Sequence, residues 1–363
     1  MDLKNILVVS DYSDYHSVRP EAEIFLSLAR LGHKITVITK AGSRYAKIFL
    51  QHNIKVIDQH PTSKYDRKSI GVIRATIARS RPDVVHLFNN KALTNGLIAA
   101  KGHPATVIGY RGSTLNFSPF NAFNYFKHLS PRLDYVICNS HGVASRYKNH
   151  PFFSSSKAIV INKGHDLAWY SDVKARPLRS EYGIPRHSII FTLVATDRTM
   201  KGVRYLCEAI NKLPAECDFR LFMIGGGMDN PKYTKLLQAG VHAHKVVQLS
   251  HTDHALTYVA ASDVFVLPSI KGESITKAVL EAMSLGCCPL ITDIVGNQEL
   301  VTDQHNGLVV PAGDSIAMAS AMQQLIQYED KRRSYGKRSQ ERIRTSLSHS
   351  STVAGYLSLY DKL

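Results

Sequence analysis

The chain has 363 residues, 44% of them hydrophobic and 20% charged, and its 45 Lys and Arg against 29 Asp and Glu give a formal charge of +16. A domain typically runs to roughly 100–200 residues, so this length predicts two, and the apolar content excludes a chain disordered throughout. Five irregularly spaced cysteines (Cys138, Cys207, Cys217, Cys287, Cys288) argue against a disulfide framework or a zinc site and fit a reducing, cytoplasmic setting.

No apolar run reaches the roughly 18 residues of a bilayer span, and residues 1–4 lead into a short strand-like run rather than a signal peptide. A soluble or peripheral protein is expected. The charge is unevenly spread: residues 1–163 hold 23 basic and 9 acidic side chains, 164–330 hold 14 and 18, and 331–363 hold 8 and 2. That asymmetry predicts an anionic partner for one face only, with nucleic acid and an acidic membrane surface both open.

Along the chain, residues 5–10 (NILVVS) form a short apolar run, 20–31 (PEAEIFLSLARL) carry helical periodicity, Gly32-His33 mark a stop, and 35–39 are apolar again. This is a βαβ unit of a parallel sheet. Further strands are expected at 83–88, 105–110 and 135–138. A second series follows, with strands at 189–195, 219–224, 245–249, 264–267 and 289–292 and a helix at 203–213. The expected fold class is α/β, with two Rossmann-like doubly wound domains facing an interdomain cleft. The seam falls within 161–185, giving domains 1–163 and 164–340.

The stretch 261–314 carries the chemistry. After the strand VFVLP, Glu273 and Glu281 stand eight positions apart, and helical periodicity begins at about Ile275–Thr276. Glu273 is therefore expected in the loop before the helix and Glu281 inside it. A helix N-terminus at residues 274–277 presents free N–H groups and a positive dipole end suited to a diphosphate, and Glu281 is placed to accept from a ribose diol. The plainer alternative is a solvated loop acid and a helix-surface acid.

This stretch resembles the C-terminal signature of the family-4 glycosyltransferases, which have the GT-B fold. The matching elements are Pro268-Ser269, Glu273, Glu281-Ala282-Met283, Gly286, the strand at 289–292, Gly296 with Glu299, then Asn306-Gly307 and Gly313-Asp314. Fainter likenesses extend over nearly the whole chain: residues 31–37, Asp83-Val84-Val85-His86, residues 137–140, residues 162–166 and Gly225-Gly226-Gly227.

The resemblance implies that Glu281 binds the nucleotide ribose, that Glu273 binds hydroxyls of the donor sugar, and that Ser274, Ile275, Thr276 and Lys277 hold the diphosphate through their backbone. It implies that Gly225 and Gly226 lie near the nucleotide and that Lys201 neutralises phosphate charge as the leaving group departs. It further implies transfer from a nucleotide sugar, expected to be a UDP-sugar, with retained configuration, and a final helix over 341–363 that crosses back to the first domain.

Two positions depart from the pattern. Thr196 stands where the family places an Arg five residues before the lysine, with Arg198 nearby as a substitute. Gly109-Tyr110-Arg111-Gly112 stands where the family often has a His, making Arg111 a fixed cation suited to an anionic acceptor or the donor phosphate. The first loop, taken as 11–20, offers Ser17-Val18-Arg19 in place of paired glycines. No Asp-x-Asp occurs, and the pair His242/His244 has no further ligands nearby in sequence, so neither metal nor other cofactor is expected.

Residues 116–132 alternate aromatic and basic side chains, with Phe120, Phe123, Tyr125, Phe126 and Lys127 among them. They read either as an interfacial membrane contact or as ordinary core lining. Residues 64–81 add a basic helix face, and the seven cations of 331–344 are expected to join the first domain with the final helix. The partners expected are a nucleotide-sugar donor, an anionic or lipid-linked glycan acceptor of cell-surface polysaccharide or lipopolysaccharide synthesis, and the cytoplasmic face of the cell membrane. A sugar-nucleotide epimerase of the same fold, a basic nucleic-acid-binding protein and a catalytically silent scaffold are the alternatives.

Overall fold

The computed structural model describes residues 2–113, 124–150 and 153–363. The chain divides into two units, Met1–Gly164 with His349–Leu363, and His165–Ser348.

In the first unit, β1 (Asn5–Val9), α1 (Tyr15–Arg30), β2 (Lys34–Thr39), α2 (Arg44–Gln51) and β3 (Lys55–Asp58) run in one direction across the sheet. The chain then returns through α3 (Arg67–Ser80) to β4 (Val84–Leu87) beside β1. It continues outward through α4 (Asn89–Ala99), β5 (Thr106–Arg111), β6 (Tyr135–Cys138), α5 (His141–Lys148) and β7 (Ala158–Val160). All pairings are parallel, in the order β3-β2-β1-β4-β5-β6-β7. Runs such as VVHL are buried along their whole length because helices cover both sheet faces.

The second unit repeats the plan. It contains α6 (Leu178–Glu181), β8 (Ile189–Val194), α7 (Val203–Ile210), β9 (Phe219–Ile224), α8 (Pro231–Leu237), β10 (Val246–Leu249) and α9 (Ala255–Ala260). It then adds β11 (Val264–Leu267), α10 (Lys277–Ser284), β12 (Cys288–Thr292), β13 (Leu308–Val310), α11 (Ser315–Gln327) and α12 (Glu329–Thr345). Its parallel order is β10-β9-β8-β11-β12-β13. In each sheet the order reverses between two central strands, β1 and β4 in one and β8 and β11 in the other. Ligands of doubly wound sheets bind beyond the strand ends at such reversals.

Two boundaries differ from the sequence reading. The first helix begins at Tyr15 rather than near 20, because Asp14 caps it by accepting from the Ser17 N–H. Ser17, Val18 and Arg19 are thus helical, not loop. The return to the first unit occurs at residue 349, not 341, and this moves the basic tail. Tyr335, Ile343 and Leu347 are buried in the second unit's core, so α12 and its cations stay there. Several of those cations hold carbonyls of the same unit, as Arg342 does by donating to Glu299 O at 2.8 Å.

The crossing element is α13 (His349–Tyr360), which carries no Lys or Arg. It packs Val353, Tyr356, Leu359 and Tyr360 into the first unit's core, and the Tyr360 hydroxyl hydrogen-bonds buried His86 Nε2 at 2.7 Å. The first unit accordingly holds 24 basic and 10 acidic side chains, while the second holds 21 and 19.

Candidate active site

In the second unit the loops after β8 and β11 meet at the strand-order reversal. Gly202 makes this approach possible: its φ is +64°, and a Cβ there would lie 1.9 Å from Pro268 O. Ile270 N donates to Met200 O at 2.8 Å, stitching the loops together. Lys201 Nζ consequently donates to Glu273 Oε1. Their side chains are only 16% and 12% exposed, so Glu273 is not a solvated loop acid. Ser269 Oγ also donates to Glu273 Oε1 at 3.2 Å, and Thr276 Oγ1 to Oε2 at 3.4 Å.

Helix α10 starts at Lys277, with Thr276 at its N-cap and no side chain capping it. Ser274 and Thr276 are buried, and Ile275 packs on the unit's core. One turn in, Glu281 accepts from Lys277 Nζ, an ion pair four residues apart whose acid is 13% exposed. The backbone of residue 296 lies against Ser274, where a Cβ on Gly296 would come within 2.2 Å of Ser274 O. Asn297 is buried there, donating to Thr292 O at 3.2 Å, and its Oδ1 lies 3.4 Å from the Thr276 hydroxyl oxygen as an alternative acceptor to Glu273.

The glycine loop after β9 joins the same neighbourhood. Asp197 N donates to Gly226 O at 2.8 Å, and a Cβ on Gly225 would meet Ala195 O at 1.9 Å. Lys201, Glu273, residues 274–277 and the Gly225–Gly226 turn therefore border one strand-order reversal. Arg198 follows Asp197 and is exposed. Asp197, which the sequence reading did not single out, accepts from Lys232 Nζ at 2.6 Å and from Tyr233 OH at 2.7 Å. Those donors hold its carboxyl below the ordinary carboxylate range.

In the first unit Arg111 ends β5 and is buried. Its Nε donates to Ser113 O at 2.9 Å and its Nη1 to His128 Nε2 at 2.6 Å. Burial, with the Arg111 and Lys127 charges beside it, pushes His128 down to about 3, so it is neutral at pH 7. The basic-aromatic reading of 116–132 thus fails at His128, a buried acceptor. Tyr125 is half-buried against the His150 ring, Lys127 is half-buried, and Phe126 is 71% exposed. Phe120 and Phe123 lie outside the described residues. Arg19 sits within α1.

The sequence reading also missed Glu21 and Lys163. Glu21 lies on the apolar face of α1 with Ile24, Phe25 and Leu28, three, four and seven positions on. A carboxylate on that stripe was the available signal. It accepts from Ser10 Oγ at 2.6 Å and pairs with Lys163 Nζ at 3.5 Å. Burial pushes the Lys163 ammonium down, but Tyr110 and Glu21 beside it outweigh burial and raise it overall. Among the described residues no group of three or more His, Cys, Asp or Glu is placed to hold a metal ion, and no helix is long and apolar enough to cross a membrane. His242 is buried, its Nε2 donating to Leu213 O at 3.2 Å and Pro214 O at 3.1 Å.

The two Rossmann-like domains place the chain in the GT-B class of glycosyltransferase folds. The profile described as "Glycosyltransferase Family 4" matches residues 22–169, and that described as "Glycosyl transferases group 1" matches residues 186–328. N-acetyl-alpha-D-glucosaminyl L-malate synthase of Bacillus anthracis is 24% identical over 93% of this chain and 91% of its own length. The Escherichia coli UDP-Gal:alpha-D-GlcNAc-diphosphoundecaprenol alpha-1,3-galactosyltransferase is 27% identical over 71% of this chain and 70% of its own. A glycosyltransferase from Rickettsia africae superposes with a TM-score of 0.82 at 20% identity, covering 100% of this chain and 99% of that one. Anabaena HepE, solved with UDP, superposes with a TM-score of 0.79 at 19% identity, covering 99% and 100%. The chain belongs to the family-4 glycosyltransferases of the GT-B fold.

Proposed function

We propose that this enzyme is a retaining hexosyltransferase that moves a sugar from UDP-sugar to a cell-surface glycan or lipid-linked saccharide without a metal. The observation that carries the reading is the Lys201–Glu273 pair beside the N-terminus of α10, with Glu281 one turn further on. Donor diphosphate oxygens take the N–H groups at the helix start and the Lys201 ammonium. Glu281 exchanges its Lys277 partner for ribose hydroxyls, and Glu273 accepts from hydroxyls of the sugar. The acceptor hydroxyl forms its bond to the anomeric carbon on the face from which UDP leaves. The carbon–phosphate oxygen bond breaks, and the acceptor proton passes to the departing phosphate oxygen.

The UDP in the HepE structure and the lipid-diphosphate acceptor named for the E. coli relative support the donor and acceptor classes. Work at the inner face of the membrane is supported by the first unit's 24 basic against 10 acidic side chains and by exposed Phe126.

The test is a thermal-shift and donor-hydrolysis panel of UDP-, GDP- and ADP-sugars in EDTA, on wild type and Glu281→Ala. UDP-sugar at a hundredfold excess over Kd stabilises wild type by about 2.7 kcal/mol and leaves Glu281→Ala unshifted. A response to RNA or DNA oligomers with none to any nucleotide sugar refutes the proposal. So does hydrolysis abolished by EDTA and restored by magnesium.

A further inference from the structure

Asp197 is an acid beside a site assigned to an anion, and the donor chemistry above gives it no task. It stands on the loop after β8, four positions before Lys201, and its side chain is 19% exposed. A carboxylate so near the lysine assigned to the donor diphosphate repels that ligand unless its charge is cancelled.

The start of α8 supplies the cancelling charge. Lys232 Nζ donates to both carboxylate oxygens, at 2.7 Å to Oδ1 and 2.6 Å to Oδ2, and the Tyr233 hydroxyl donates to Oδ1 at 2.7 Å. Asn230 fixes that helix turn by accepting from the Lys232 N–H at 3.0 Å.

Asp197 is also clamped through its backbone. Its N–H donates to Gly226 O at 2.8 Å, and a Cβ on Gly227, whose φ is +80°, would lie 2.6 Å from Asp197 Cβ. A single short helical turn, Thr199–Lys201, separates this clamp from the lysine, with Lys201 N donating to Arg198 O at 2.8 Å. The far end of that turn is held where Gly202 approaches Pro268 O. The segment carrying Lys201 is thus fixed at two ends, and Asp197 is the end that joins it to the glycine turn after β9.

We propose that Asp197 is a positioning residue for Lys201 and that Lys232 cancels the Asp197 charge toward the donor diphosphate. Asp197 acts by fixing the root of the Lys201 turn, and Lys232 acts through Asp197. The inference rests on the donor reading above and deepens it.

Isothermal titration of the full-length protein with UDP tests both roles. Lys232→Met raises the UDP Kd about tenfold at about 0.1 M salt, and the ratio to wild type shrinks to about twofold at about 1 M, where charges are screened. Asp197→Asn/Lys232→Met carries no charge at either position and regains most of the lost affinity, and Lys232→Arg rescues it as well. A pair that served only to hold the loop would instead leave the double variant as weak as Lys232→Met or weaker. For positioning, Lys201→Met weakens UDP about tenfold in the wild-type background and less than about threefold beside Asp197→Ala, because a lysine on a loosened turn has less to lose. If Asp197→Ala does not fold, as judged by circular dichroism, the Lys232 variants decide.

A UDP affinity indifferent to Lys232→Met, a loss unchanged by salt, or a double variant no better than Lys232→Met overturns the proposal. A Lys201→Met loss equal in both backgrounds also overturns it. The two readings fail differently: no UDP binding by wild type overturns the donor reading and this inference together. Binding by wild type that Lys232→Met leaves intact overturns this inference alone.

Discussion

The Lys201–Glu273 pair is open to a double-mutant cycle whose size follows from its surroundings. Unit charges in contact at an effective dielectric constant of about 20 attract by about 4 kcal/mol, and removing one partner of a buried pair costs about 3–5 kcal/mol. Here the side chains keep 16% and 12% exposure, which lowers the expected loss for Lys201→Met to about 2–3 kcal/mol. That variant leaves Glu273 with only the Ser269 and Thr276 hydroxyls. Glu273→Gln costs less, about 1 kcal/mol, because a lysine stem lets its ammonium reach water.

Lys201→Met/Glu273→Gln should then lose only about 1–2 kcal/mol, a coupling near 2 kcal/mol. Urea unfolding followed by Trp169 fluorescence measures it, since this single tryptophan lies in the same unit. Costs that add to within about 0.5 kcal/mol would show that the pair does not organise the site, and the reasoning would fail. Independently, Lys201→Met should lower kcat by about a hundred- to a thousandfold if its ammonium faces the leaving phosphate.

Three further outcomes are expected. Burial pushes His86 down to about 3, whereas the unfolded chain titrates it near 6.5. The native state therefore binds fewer protons, so this contribution is intact above about pH 6.5 and is lost as pH falls, by about 2 kcal/mol at pH 5. His86→Asn should remove that share of the pH dependence in urea unfolding followed by circular dichroism, and an unchanged slope would contradict it. Gly202→Ala, with φ at +64° and Pro268 O in the way, should cost more than about 2 kcal/mol and abolish donor hydrolysis. A normal melting temperature would disprove the close approach. Tyr360→Phe leaves His86 Nε2 without its hydroxyl and should cost about 1–3 kcal/mol, read from denaturant midpoints.

Much of the molecule was legible from local pattern. Short apolar runs alternating with periodic helices announced two parallel sheets, because a strand covered on both faces must be apolar along its length. The ordered set from Pro268 to Asp314 located the Glu273 loop and the Glu281 helix, since a helix start and its flanking acids are set by neighbours in sequence. The start of α1 was hidden because Pro20 looked like a helix beginning, while the Asp14 cap determined it.

What only the tertiary structure decided were the partners distant in sequence. Lys201 and Glu273 are 72 positions apart, and they meet because a glycine backbone admits Pro268 O. Glu21 and Lys163 come together where α1 and the end of the first sheet converge, and no spacing encodes that meeting. The tail divides at 348 because Ile343 and Leu347 fill one core while Val353 and Tyr356 fill the other. Periodicity records which face of an element is apolar, and the folded chain alone selects the core that buries it.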